Sequence, residues 1–231
     1  MVRRYLINTF LILFFATASA QDSLQQLMNM HAEAHQPAYW EGIKTVSTKG
    51  FWLGSHGDYP VTFFMKRPNK FLMVSQRSRF LEAYNGIDSW TIAKWTSDEA
   101  VLMTADEALI HQNVFIFGTP VGASMDMVYK GKISIEDQWY YWIMELRGIE
   151  TREYFISADS YLLFKTIITR ELPTGSQKLT REVVKYTDIN GLIFATHVKV
   201  YTASVRSEYI FSNITIGTPV DDKRFINPLD N

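Results

Sequence analysis

Two histidines spaced four residues apart are the most suggestive pair for chemistry in this chain. His31 and His35 would lie on one face of a helix, and this spacing can chelate zinc. The metalloprotease motif needs a glutamate directly after the first histidine, and Glu33 stands one position too late. No third ligand is evident, so we expect a polar helix edge near the domain surface and no metal site.

Acidic residues near a predicted helix form the second group that could do chemistry: Asp98, Glu99, Asp106 and Glu107. Paired carboxylates can act as general acid and base, but acids near a helix start also follow the ordinary preference of the helix dipole. The chain has no Gly-x-Ser-x-Gly motif, no glycine-rich phosphate loop and no cysteine. We therefore expect no catalytic residue, no cofactor and no enzymatic activity.

The first twenty residues have the layout of a secretory signal peptide. Two arginines precede an apolar run from Leu6 to Ala16, and Ala18-Ser19-Ala20 is a small-residue cleavage signal. The run is shorter than the ~20 apolar residues that a transmembrane helix needs. We expect residues 1–20 to be removed and residues 21–231 to form one periplasmic or otherwise exported soluble domain. An uncleaved amphipathic anchor is the alternative.

The charge balance indicates which partners to expect. The chain has 23 Lys and Arg against 24 Asp and Glu, with a formal net charge of −1, and contains no basic block. Nucleic acids and anionic membrane surfaces select basic patches, so neither is expected as the main partner. Aromatic residues make up 14% of the chain, which suits an apolar core and an apolar binding site equally.

Hydrophobic periodicity predicts one α+β domain. Residues 22–36 show helical spacing, and from Ile43 onward the period changes to two. About 11 antiparallel strands follow, and Asn85-Gly86 and Asn190-Gly191 are tight-hairpin signals.

A helical insert over residues 97–128 is predicted between the two groups of strands. Thr96-Ser97-Asp98-Glu99 has the capping-box pattern, good helix formers follow to residue 112, and a second short helix near 120–128 is an option. We predict that the insert is a mobile lid over the open side of the sheet, since a short turn would suffice as a connection. The alternative is a fixed helix that plugs the sheet. The apolar lid residues are Leu102, Leu109, Phe115 and Phe117.

Several predicted strands are apolar on both faces, such as 61–65, 71–74 and 139–144. An antiparallel sheet with one wet face should alternate. We predict that one face packs on helices while part of the other lines an apolar cavity, and a plain two-sided core is the alternative. The predicted cavity-lining residues are Trp52, Phe64, Trp90, Trp142 and Met144.

Several segments, in order, resemble the LolA/LolB-type outer-membrane lipoprotein-sorting proteins. Residues 43–50 look like the opening strand of that family, and residues 82–90 are similar to its "aYdGk.gW" hairpin. Residues 154–162 are similar to its "yyiD..tgl" hairpin, residues 186–192 to its "y..vdGl" turn, and residues 225–228 to its closing "F..P".

The resemblance implies a curved antiparallel sheet, an incomplete barrel, closed by the N-terminal helix and the helical insert around an apolar cavity. It implies an exported carrier or chaperone for lipid or lipoprotein acyl chains that performs no covalent chemistry. Burial of each methylene contributes about 0.8 kcal/mol, so acyl chains can bind without polar contacts. We expect a monomer, with an envelope membrane protein as donor or acceptor. The alternative is an envelope sensor or protein-binding module of the same fold.

Overall fold

The computed structural model describes residues 23–36, 40, 42–75, 79–113, 121, 124–173 and 175–230. The predicted signal peptide at residues 1–20 lies outside the described residues. The predicted lid residues Phe115 and Phe117 also lie outside them.

One antiparallel sheet of 13 strands forms the framework of the described chain. A helix over residues 23–34, α1, precedes the sheet, and α2 (Ala105–Asn113) lies between the sixth and seventh strands. The first six strands are β1 (Thr45–Gly54), β2 (Gly57–Lys66), β3 (Lys70–Ser75), β4 (Phe80–Tyr84), β5 (Ser89–Ala93) and β6 (Ser97–Leu102). The others are β7 (Met127–Ile135), β8 (Gln138–Arg147), β9 (Glu150–Ser157), β10 (Leu163–Leu172), β11 (Gly175–Ile189), β12 (Leu192–Tyr201) and β13 (Arg206–Ile216). Short 3-10 helices at Asp222–Phe225 and Pro228–Asp230 follow the last strand.

Two meanders, β1 to β6 and β7 to β13, join side by side through the pairing of β1 with β13. This places β6 and β7 at opposite edges of the sheet, and they do not pair with each other. The sheet is therefore open and not a closed barrel, which confirms the predicted α+β class. It has more strands than the predicted number of about 11, and the strand without a sequence prediction is β6.

The predicted helix over residues 97–112 is wrong in its first half. Ser97–Leu102 is an edge strand, in which Leu102 pairs with Trp90 of β5. The capping-box pattern T-x-x-E occurs twice in this segment, and the second copy is the one that starts the helix. The Thr104 amide donates to the Glu107 carboxylate at 2.9 Å, and the Glu107 amide donates to the Thr104 hydroxyl at 3.4 Å. The first copy of the pattern, Thr96 to Glu99, runs into β6, which pairs with β5. Only the second copy, Thr104 to Glu107, therefore caps a helix.

The insert between β6 and β7 is a crossover connection. The expectation that a short turn would suffice there is wrong, because β6 and β7 are opposite edges of the 13-stranded sheet. The chain has to cross the sheet to reach β7, and α2 packs on the sheet along this crossing. β7 already begins at Met127, within the segment where a second short helix was an option.

The two faces of the sheet are covered by different parts of the chain. On the helix-covered face, Leu109 and Ile110 of α2 pack in one apolar cluster with residues such as Phe63, and α1 packs in another with residues such as Ile143. On the opposite face, the outer face, Val220 and Phe225 of the C-terminal segment form a third cluster: Leu72, Ala83, Trp90, Val220 and Phe225. Strands β2 and β3 are therefore buried on both sides, as the two-sided core alternative proposes.

Candidate functional site

The five predicted cavity-lining residues lie on both faces of the sheet. Trp52 belongs to the helix-covered face, where its ring stacks on Phe80 with 4.6 Å between centroids. Phe64 and Trp90 belong to the outer-face cluster. Trp142 and Met144 flank a residue that packs beneath α1, so strand alternation directs both to the outer face. The structure therefore does not gather these side chains around one cavity.

An open apolar groove of about 580 Å³ lies on the outer face. We call it the outer groove, and its lining residues are Lys49, Gly50, Phe51, Pro60, Val61, Thr62, Phe64, Val74, Ser212, Asn213 and Arg224. Phe51 leaves 49% of its surface exposed there, and the Arg224 guanidinium lies 4.5 Å from the Phe64 ring centroid. Ligand sites typically have about 300–1,000 Å³, so the outer groove can accept a small apolar molecule or an extended chain.

A smaller pocket of about 220 Å³ lies beside α2 on the helix-covered face, and Trp52 is one of its lining residues. Here the Nε2 of His111 lies 2.7 Å from a Glu82 carboxylate oxygen, and its Nδ1 lies 2.9 Å from the Glu107 carbonyl. Both neighbours are acceptors, so both ring nitrogens donate and the imidazole is charged. Burial lowers the pKa of His111, but Glu82 and Glu107 outweigh it and leave that pKa raised.

The two described lid residues have different surroundings. Leu102 lies on the edge strand β6 and is 59% exposed. Leu109 lies on α2 and is buried in the core, next to the ion pair of His111 with Glu82. These contacts favour the fixed-helix alternative for α2.

Hydrogen exchange tests this alternative for α2. We expect the amides of Leu109 to His111 to exchange about as slowly as those of β4, because buried side chains and a buried ion pair hold α2 on the sheet. The exposed turn at Glu136 and Asp137 serves as a fast-exchanging reference. If the α2 amides instead exchange fast and slow down on addition of a fatty acid, the prediction of a mobile lid is supported and the fixed helix is rejected.

The histidine pair is buried, so the expectation of a polar helix edge near the surface is wrong. His31 is 0% and His35 is 5% exposed, and both lie between α1 and the sheet. The Nδ1 of His31 donates to the Tyr161 carbonyl at 2.7 Å, and its Nε2 accepts from the Val121 amide at 3.0 Å. Both ring nitrogens of His31 are occupied, so it is a structural residue. Among the described residues, no group of three or more His, Cys, Asp or Glu could hold a metal ion.

Polar residues that the sequence analysis did not single out lie at the centre of the helix-covered face. Arg181 on β11 is 5% exposed, and the Tyr154 hydroxyl donates to the buried Glu145 at 2.7 Å. The signal for Arg181 was present in the sequence, since it alternates with the apolar residues Leu179 and Val183. An arginine on the apolar side of a two-residue period is a candidate for a buried functional charge.

The comparisons address the fold. No protein-family model matches this chain, and no curated protein sequence matches it. A domain from Vibrio parahaemolyticus, assigned as an outer membrane lipoprotein-sorting protein, superposes with a TM-score of 0.55 at 10% identity over 87% of this chain and 97% of that one. A LolA superfamily protein from Nitrosomonas europaea gives a TM-score of 0.52 at 14% identity over 87% and 96% of the two chains. The chain has a LolA-like fold.

A DUF1329 family protein from Desulfovibrio piger shares the LolA-like fold, with a TM-score of 0.52 at 11% identity over 89% of this chain and 98% of that one. The similarity covers 87–89% of this chain, so the resemblance noted in the hairpin motifs is confirmed at the level of fold. At identities of 10–14% it carries no information on cargo. No helix within the described ranges is long and apolar enough to cross a membrane.

Proposed function

We propose that this LolA-like protein is an exported carrier that binds lipid or lipoprotein acyl chains without covalent chemistry. The observation that carries the proposal is the outer groove, which combines an apolar floor with open access. Phe51 and Phe64 provide aromatic surface along it. Each methylene removed from water contributes about 0.8 kcal/mol, so a chain of several methylenes lying in this groove gains substantial affinity.

The rim of the outer groove supports an amphipathic ligand. Lys49 and Arg224 are among its lining residues, and both side chains are cationic. Long basic side chains can cover apolar surface with their stems while the charged end stays in water. An acyl chain on the groove floor would therefore place its polar end between water and these cations.

Uptake of a fluorescent fatty acid tests the proposal. We expect the wild-type protein to bind the probe and Phe51→Ser to bind it about tenfold more weakly. Loss of the apolar contact with the Phe51 ring is expected to reduce the binding free energy by about 1.4 kcal/mol, which corresponds to this factor. Trp139→Ser is the matched control, because Trp139 is 56% exposed but does not line the outer groove. Mass spectrometry of a lipid extract from the purified wild-type protein is expected to detect co-purified lipid.

Two results would contradict parts of this proposal. Absence of bound lipid and of probe uptake would reject the carrier, and lipid-independent capture of one envelope protein would then favour the sensor or protein-binding module. Uptake that Phe51→Ser leaves unchanged would keep the carrier but move its site away from the outer groove.

A further inference from the structure

Arg181 is a positive charge buried in the helix-covered face, and no described residue provides its counter-ion. It lies on β11 between Leu179, which belongs to the apolar cluster beneath α2, and the buried Val183. Among the described residues no hydrogen bond or ion pair reaches Arg181, and its Nε has no partner. An arginine does not give up its proton in proteins, and an uncompensated buried charge costs several kcal/mol. A guanidinium at this position therefore calls for a partner.

The acidic side chains of β9 and β11 do not serve as that partner, because they are already paired or point to the outer face. Glu150 on β9 pairs with Arg152 and Arg170. Glu182, next to the buried guanidinium in sequence, pairs with Lys165 at 3.2 Å. Glu153 of β9 is nearest in register, but it alternates with Tyr154 of the helix-covered face and therefore points to the outer face. Among the described acids of β9 and β11, none neutralises Arg181.

Two further buried polar side chains near Arg181 have groups that lack a partner among the described residues. Thr166 of β10 is the direct register partner of Arg181, and its hydroxyl makes no hydrogen bond. Side chains directly opposite each other on paired strands have Cβ atoms about 4.5–5.5 Å apart. His35, in the turn directly after α1, lies near Arg181, and neither of its ring nitrogens has a partner among the described residues. All three residues are at least nine-tenths buried, at 5% exposed each.

The electrostatics at His35 support its closeness to Arg181. Burial, the neighbouring His31 and the charge of Arg181 lower the pKa of His35 to about 3. His35 is therefore neutral at physiological pH, with one N–H available as a donor. The hydroxyl of the adjacent Tyr186 is already used, since it donates to the Leu163 carbonyl at 2.7 Å.

We propose that Arg181, Thr166 and His35 form a binding site for an oxyanion, a carboxylate or phosphate group, between α1 and strands β10 and β11. The guanidinium offers parallel N–H donors that match the two oxygens of such a group. The Thr166 hydroxyl and one His35 N–H add neutral donors. A bound oxyanion neutralises the charge and satisfies all three side chains, whereas a cation or an apolar group does neither. This site lies on the face opposite the outer groove and does not depend on it.

Thermal unfolding with three additives tests the site: inorganic phosphate, sodium laurate and dodecyl maltoside. We expect phosphate or laurate to raise the unfolding midpoint of the wild-type protein, because a ligand that binds only the folded state stabilises it. In Arg181→Met the affinity for the anion is expected to fall at least tenfold. The unfolding midpoint of this variant without anion is expected to equal or exceed that of the wild type, because the buried guanidinium charge has been removed. The surface variant Arg206→Met should respond to the anion as the wild type does.

The additives also separate the sources of the oxyanion and the two proposed sites. A response to phosphate alone indicates a free anion, whereas an Arg181-dependent response to laurate only indicates the head group of a lipid. Dodecyl maltoside is neutral, has a chain of the same length as laurate and reports on acyl binding alone. Its effect should be the same in the wild type and in Arg181→Met.

Two outcomes would overturn the site. One is a wild-type midpoint that neither phosphate nor laurate changes, and the other is an Arg181→Met protein that binds the anion as tightly as the wild type. If Arg181→Met does not fold, Arg181→Lys keeps the charge without the guanidinium fork. That variant is expected to bind the anion about tenfold more weakly at a nearly unchanged midpoint, and wild-type affinity in it would equally reject the site.

Discussion

Replacing Phe63 by alanine is expected to lower the free energy of unfolding by about 3–5 kcal/mol. Phe63 on β2 is 0% exposed. Its ring contacts that of Phe71 on β3 and those of Tyr209 and Phe211 on β13, the two strands that flank β1 and β2 in the sheet. Its removal leaves a cavity at the place where the two meanders join, which a rigid sheet cannot close. Urea unfolding followed by circular dichroism measures the loss.

The next residue is the matched control. Phe64 has the same chemistry on the same strand, but it is only partly buried and points to the outer face beside Arg224. Phe64→Ala is expected to cost about 1–2 kcal/mol, because part of the Phe64 surface already contacts water. Equal losses at the two positions would mean that the helix-covered face is not the main core.

Replacing Glu82 by glutamine is expected to lower the free energy of unfolding by about 3 kcal/mol near pH 6, because it leaves the buried imidazolium of His111 without its counter-ion. The pKa of His111 in the folded state is raised above its unfolded value of about 6.5. The stabilisation by the pair is therefore fully present below that unfolded value and is lost as the pH rises through the folded-state pKa of His111. Unfolding of both proteins at several pH values measures this.

The difference in stability between wild type and Glu82→Gln should therefore be largest near pH 6 and shrink at alkaline pH. Glu99→Gln removes an exposed acid on β6 and is expected to change the stability by less than about 0.5 kcal/mol at any pH. A difference that stays constant with pH would show that Glu82 contributes through packing or a neutral hydrogen bond, not through its charge.

The fold was predictable from the sequence to a large extent, and the site much less so. Hairpin signals such as Asn85-Gly86 and the period of two placed most strands correctly, because turns and alternation depend on neighbours in sequence. Ser97–Leu102 was missed, because its capping-box pattern is a local signal that pairing with β5 overrides. The five predicted cavity-lining residues lie on both faces of the sheet, because the sequence does not fix the register and a slip of one residue inverts every side chain of a strand.

The sequence by itself determined most of the elements, the absence of cysteine chemistry and the α+β class, because each of these depends on composition or on residues close together in the chain. Only the tertiary structure decided what pairing between distant segments creates. The contact of β1 with β13 places β6 and β7 at opposite edges and makes the insert a crossover. The contact of the turn after α1 with β11, where the His35 ring meets Tyr186, brings His35 near Arg181. A charge without a partner destabilises the protein only when folding removes its water, so the sequence alone could not predict a site at Arg181.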